Sequence, residues 1–68
     1  MIKDVRLFKC KMLMAGETYK SLAGKMQMAA ITLSQKIEKD KELKLSEIDL
    51  LSKILDMSDA EIISIFLH

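Results

Sequence analysis

Residues 18–37 read TYKSLAGKMQMAAITLSQKI, and the spacing of the apolar side chains in this stretch decides the fold. Apolar residues recur at helical spacing in each half of it, at Leu22, Ala23 and Met26 and then at Met28, Leu33 and Ile37. The two apolar faces can close on one another across a turn at residues 27–29, and a small residue at position 23 allows the helices to cross closely. The pattern therefore predicts a helix–turn–helix whose second helix presents an exposed reading surface.

The rest of the chain favours the same fold class. It contains no proline and only two glycines, and no stretch alternates with the period of a strand. We predict a single all-α domain over residues 1–68. Its five short helices are expected at residues 2–15, 19–26, 30–39, 46–56 and 58–67.

Local signals mark the ends of these helices. Gly16 is predicted to end the first helix in the left-handed conformation, and Thr18 to cap the second. Ser46 with Asp49 is predicted to open the fourth helix, with a Leu45–Leu50 hydrophobic staple. A second capping box, which opens the fifth helix, is formed by Ser58 and Glu61 and flanked by a staple of Met57 and Ile62.

Composition narrows the classes of function. The chain has 68 residues, three of them aromatic, so the core must be built from Leu, Ile and Met. A single cysteine, Cys10, excludes an internal disulfide, and the only histidine is His68. No transmembrane or leader segment is evident, so we expect a cytoplasmic protein. No catalytic pair, metal-ligand spacing or glycine-rich phosphate loop is present, so we expect neither an enzyme nor a cofactor.

Charge is distributed unevenly along the chain, although the formal net charge is only +1. Residues 1–44 hold ten Lys/Arg and five Asp/Glu, a net charge of +5. Residues 45–68 hold one lysine and five acidic residues, a net charge of −4. The basic charge therefore lies with the predicted reading unit.

Taken together, these segments resemble the Cro/cI-repressor-like (XRE-type) helix–turn–helix proteins of phages and bacteria. The resemblance covers nearly the whole chain, through residues 12–16, 18–37, 43–48 and 57–63. Gln27 stands where this family usually has a glycine, and Ala29 where it usually has a capping Ser or Thr. Gln27 must therefore either accept a positive φ angle or change the shape of the turn, and Ala29 supplies no side-chain cap.

The resemblance implies a lambda-repressor-like domain whose third helix enters the major groove of operator DNA. Outward residues of that helix would read bases: Ala29, Ala30, Thr32, Ser34 and Gln35. Gln35 can pair bidentately with adenine, and alanine methyl groups can contact thymine methyls. Phosphate contacts are expected from Tyr19, Lys20, Lys36, Lys39, Lys41 and Lys44.

The last helix is apolar on more than one side, which leaves two readings open. Either it only closes the core, or it forms a homodimer contact through Ile62, Ile65 and Phe66. The alternative function is a protein-interaction module on the same fold, an antirepressor or modulator that binds a partner repressor. Weak net charge, the apolar run Ala29-Ala30-Ile31 on the reading helix and surplus apolar surface favour that alternative.

Overall fold

The computed structural model describes residues 2–39 and 41–67, which form five helices and no strand. The helices are α1 (Val5–Met14), α2 (Tyr19–Lys25), α3 (Ala30–Glu38), α4 (Leu45–Ile54) and α5 (Asp59–Phe66). The prediction of an all-α chain with five short helices is confirmed for the described part. No helix in that part has the length and apolar character required to cross a bilayer.

Side-chain caps set the starts of three helices. Thr18 Oγ1 accepts the Ser21 N–H at 3.1 Å, and Ser58 Oγ accepts the Glu61 N–H at 3.2 Å, so both predicted caps are confirmed. The first helix starts three residues later than predicted, because Asp4 Oδ1 accepts the Leu7 N–H at 3.0 Å and acts as its N-cap. Lys3, two residues before α1, donates its N–H to the Ile65 carbonyl at 2.7 Å.

The start of α4 corrects the sequence prediction. The helix begins at Leu45, one residue before the predicted Ser46, and its N-cap position is Lys44. The Glu47 carboxylate accepts the Lys44 N–H at 2.9 Å and so takes the role predicted for Asp49. Leu45 lies inside the helix and is 80% exposed, so the predicted staple with Leu50 is not formed.

The turns after α1, α2 and α4 share one geometry. Each places one residue in the left-handed region: Gly16 at φ 71°, Gln27 at φ 57° and Asp56 at φ 50°. In each turn the next N–H donates to the carbonyl five residues back, at 2.9–3.0 Å, as in the Schellman motif. The left-handed conformation predicted for Gly16 is confirmed, Gln27 takes the first of its two alternatives, and the left-handed Asp56 was not anticipated.

The core lies between α2 and α3 and extends to the other helices. Leu22, Leu33 and Ile37 are fully buried and Ala23 nearly so, as the apolar spacing predicted. The small side chain of Ala23 lies at this junction, where α2 and α3 pack against each other. Side chains from α1, α4 and α5 complete the cluster: Phe8, Leu51, Leu55 and Ile65.

Candidate nucleic-acid interface

The orientation of α3 is fixed by the residues that it buries. Leu33 and Ile37 are fully buried, so the opposite side of the helix faces solvent. With 100° between successive residues, that outward line passes through Ile31, Gln35 and Glu38. The helix has no side-chain cap at Ala29, as the sequence predicted.

The predicted base-reading residues lie around this outward line. Ala29 is exposed just before the helix, and Thr32, Ser34 and Gln35 are half-buried along it. No hydrogen bond from the side chains of Thr32, Ser34 or Gln35 to another described residue is found. Ala30 differs from the others because it packs against the core and lies at the edge of the face. The surface thus brings together one amide, two hydroxyls and small apolar groups.

Ile31 lies on this face but was not among the residues predicted to read bases. Its side chain is 65% exposed, although a β-branched apolar residue would ordinarily be assigned to the core. The signal was available in the sequence: position 31 is four residues before Gln35 and therefore shares its face. The branched side chain offers an apolar contact of the kind that recognises a thymine methyl group.

Four of the six residues predicted to contact phosphate are exposed lysines: Lys20, Lys39, Lys41 and Lys44. None of them forms an ion pair with another described residue. They lie at the start of α2 and from the end of α3 to the start of α4, on both sides of α3 in the sequence. These four ammonium groups can contact solvent ions or a polyanion.

The fifth predicted cation, Lys36, is placed differently. It is only 7% exposed, and its Nζ lies 2.8 and 2.7 Å from the two carboxylate oxygens of Glu47. Burial raises the pKa of Glu47, but hydrogen bonds from Lys36 and the Lys44 N–H outweigh that effect and bring the pKa below its usual value. Lys36 therefore joins α3 to α4 inside the protein and leaves the set of phosphate contacts.

The sixth predicted contact, Tyr19, is tied to the end of α3. Its hydroxyl donates to Glu38 Oε2 at 2.6 Å, and Lys9 Nζ lies 3.5 Å from the same oxygen. Burial first, and then the neighbouring carboxylate, raises the pKa of the Tyr19 hydroxyl. The hydrogen bond from Tyr19 and the charge of Lys9 lower the pKa of Glu38 despite some desolvation. One carboxylate oxygen of Glu38, on α3, thus binds a side chain of α1 and a side chain of α2.

The three residues predicted to form a dimer contact do not share one environment. Ile65 is fully buried in the protomer, which removes it from any surface contact. Phe66 is half-buried and packs edge-on against Phe8, with ring centroids 6.3 Å apart, and Ile62 is also half-buried. The outward side of α5 instead carries Ile63, which is 55% exposed and lies four residues before the exposed Leu67.

Acidic residues of the C-terminal part neutralise lysines of the N-terminal part. Glu47 pairs with Lys36, and Glu61 lies 3.2 Å from Lys11. Ion pairs within the protein therefore neutralise part of the charge that is distributed unevenly along the sequence. Among the described residues, Lys20, Lys39, Lys41 and Lys44 form no ion pair.

No group of three or more His, Cys, Asp or Glu side chains in residues 2–39 and 41–67 could hold a metal ion. Cys10 is an exposed free thiol whose Sγ lies 3.9 Å from Met14 Sδ. His68 lies outside the described residues.

Comparison with models of protein families, with curated proteins and with solved structures found no match to this chain.

Proposed function

We propose that the protein binds operator DNA as a small Cro/repressor-like transcriptional regulator, with α3 in the major groove and no catalytic step. The observation that carries this proposal is the outward face of α3. Its hydrogen-bonding side chains have no partner among the described residues, and exposed lysines precede and follow it in the sequence. An amide and two hydroxyls with no partner among the described residues, preceded and followed in the sequence by exposed lysines, match the chemistry of base edges flanked by phosphates.

The face has a definite base preference. Gln35 can donate to N7 and accept from N6 of one adenine, and Ile31 four residues away can contact the methyl group of a nearby thymine. Thr32 and Ser34 lie on either side of that line and can bond to bases or phosphates. No arginine lies on α3, so recognition of guanine is not expected from this helix. We therefore propose an operator whose contacted bases are rich in A·T pairs.

Phosphate contacts in this proposal come from Lys20, Lys39, Lys41 and Lys44. Each neutralised phosphate adds about 0.9 to the slope of log affinity against log salt. Four such contacts predict a loss of affinity of about 100-fold between 50 and 200 mM salt.

A homodimer would place two α3 helices about one DNA turn apart, as a palindromic operator requires. The exposed side chains of Ile63, on α5, and of Leu67, which follows it, support this part of the proposal. Beside α5, an open groove is lined by Ile2, Glu42, Leu43, Ile48 and Phe66.

The test is a gel shift, at several salt concentrations, with DNA from upstream of the protein's own gene. Gln35→Ala is expected to cost about 1–3 kcal/mol of affinity for the operator and to leave binding to random DNA unchanged. Lys53→Ala is the matched control, because Lys53 lies on α4 and pairs with Asp49 at 3.1 Å. Equal binding of operator and random DNA by the wild-type protein would contradict base reading.

A protein-interaction module on the same fold is the second candidate, and the exposure of Ile31 favours it. Leu13 and Met14 of α1 are also 78% and 74% exposed, so apolar surface is not confined to α5. In this case α3 would contact a partner repressor rather than a DNA groove. Tight binding to a partner repressor, abolished by Ile31→Asp, with no DNA shift at low salt would select this candidate over the first.

A further inference from the structure

The cluster of Lys9, Tyr19 and Glu38 lies at one end of the outward face of α3. Tyr19 is the first residue of α2 and Glu38 is the last of α3, so their hydrogen bond joins the two ends of the helix–turn–helix. Glu38 also lies on the outward line of Ile31 and Gln35. A DNA strand that follows this face would pass the cluster.

The cluster presents the wrong sign of charge to such a strand. The side chain of Glu38 is 36% exposed and that of Lys9 is 49% exposed, so both are accessible. A carboxylate in this position repels phosphates and also occupies two groups that a phosphate could use. An exposed ion pair is weak enough for another anion to displace it.

We propose that Glu38 limits the affinity of the surface for DNA, because a backbone phosphate must replace its carboxylate as the acceptor of the Tyr19 hydroxyl and as the partner of Lys9. This inference rests on the proposed function and deepens it. The exchange conserves the number of hydrogen bonds and ion pairs. Its driving force is the release of counterions from the DNA.

The first measurement is the affinity for a duplex of arbitrary sequence of about 20 base pairs, two helical turns. Glu38→Gln is expected to bind about two- to fivefold more tightly, since it frees Lys9 and removes the repelling charge. The gain should shrink roughly threefold between 50 and 200 mM salt, as expected for the removal of one negative charge from the contact surface. Glu42→Gln is the matched control: it removes the same charge from an exposed site between Lys41 and Lys44, so its gain measures the loss of charge alone.

The second measurement follows the hydrogen bond itself. Tyr19 is the only tyrosine and the chain has no tryptophan, so intrinsic emission reports this hydroxyl alone. A carboxylate acceptor quenches tyrosine emission, so the free wild-type protein should be dimmer than Glu38→Gln. On saturation with the duplex, the ratio of their emissions should approach one. Comparing the two proteins cancels quenching by the DNA bases.

The coupling between the two residues gives a further readout. Tyr19→Phe should weaken DNA binding more in the Glu38→Gln background than in the wild-type background. In the wild-type protein, loss of the hydroxyl also releases the Glu38 carboxylate from its hydrogen bond, which offsets part of the lost affinity. Circular dichroism confirms that each variant is folded. Should Glu38→Gln not fold, Glu38→Ala replaces it.

The outcomes separate this inference from the proposed function. A larger gain for Glu38→Gln than for Glu42→Gln, together with a converging emission ratio, supports the inference. DNA binding with equal gains for both variants, or with an unchanged emission ratio, overturns the inference and leaves DNA binding standing. No DNA binding by any variant at low salt overturns the proposed function, and the inference with it.

Discussion

The Lys36–Glu47 ion pair yields the most informative stability prediction, because its lysine is nearly enclosed. The side chains are 9% and 17% exposed, and both carboxylate oxygens contact the ammonium group. Glu47→Gln removes the charge but keeps an acceptor for the Lys44 N–H. Breaking a buried pair typically costs 3–5 kcal/mol. The lysine stem can turn its end toward water, so we expect a loss of about 2–3 kcal/mol.

The partner substitution should cost less. Lys36→Met keeps the length of the side chain, and Glu47 retains its backbone hydrogen bond and some exposure, so a loss of about 1–2 kcal/mol is expected. The double variant leaves no buried charge and should also lose only about 1–2 kcal/mol. The two changes are therefore non-additive by about 2 kcal/mol.

Urea unfolding followed by circular dichroism at pH 7 measures these free energies. A domain of this size has an unfolding free energy of about 3–10 kcal/mol, so losses of the expected size are easily resolved. Asp49→Asn is the matched control, because it breaks an ion pair whose side chains are 73% and 66% exposed. That variant should lose no more than about 0.5 kcal/mol. Additive effects of Lys36→Met and Glu47→Gln, or a loss for Glu47→Gln no larger than the control, would refute the reasoning.

The same pair predicts a pH dependence. The pKa of Glu47 is lower in the folded protein than in the unfolded chain, so its contribution is fully present above the ordinary glutamate pKa of about 4.3. It is lost as the pH falls through the lowered folded value. The stability difference between the wild-type protein and Glu47→Gln should therefore narrow below about pH 4. A constant difference from pH 7 to acid would contradict this linkage.

Three further predictions concern the turns, the caps and the last helix. Gln27→Gly should raise the unfolding free energy by about 1 kcal/mol, because glycine accepts a positive φ without strain. Gly16→Ala should lower the unfolding free energy for the same reason. Urea melts in which the two variants gave the opposite signs would contradict the left-handed assignment of these turns. Ser58→Ala should cost about 1 kcal/mol through loss of the Glu61 N–H acceptor, and an unchanged urea midpoint would argue against the cap. Ile63→Asp should convert a dimer to a monomer in sedimentation while Leu13→Asp leaves it intact, and a wild-type protein that is monomeric at millimolar concentration would exclude the α5 interface.

The predictable part of this fold is the part set by neighbours in sequence. Gly16, Thr18 and Ser58 act through bonds that span three to five residues, so their roles follow from local chemistry. The burial of Leu33 and Ile37 follows from helical period alone. These signals gave the five helices and the face of α3 that is exposed.

The start of α4 could not be predicted from local rules, because a distant residue decides it. Ser46 is a good N-cap in isolation. The carboxylate of Glu47, however, binds both the Lys44 N–H and Lys36, which is eleven residues away. That contact moves the helix start and also buries a lysine that sequence position alone placed on the surface.

The candidate site likewise combines features that follow from neighbouring residues with features that depend on distant ones. That Gln35 points outward follows from the period of the helix. The hydrogen bond between Tyr19 and Glu38 joins residues nineteen positions apart and has no local signal. In and just after α5, apolar residues at positions 62, 63, 65, 66 and 67 are not confined to one side of the helix, so the helical period does not identify a single buried face. Only the packing of the other helices shows that Ile65 is internal and Ile63 is external.

The three left-handed turns have a consequence for how fast the chain folds. Each is closed by hydrogen bonds within six consecutive residues, so a turn can form before distant parts of the chain meet. Helical proteins with such local contacts fold in microseconds to milliseconds. The chain has no proline, so no peptide-bond isomerisation adds a phase of tens of seconds. Refolding from urea should therefore be a single fast exponential.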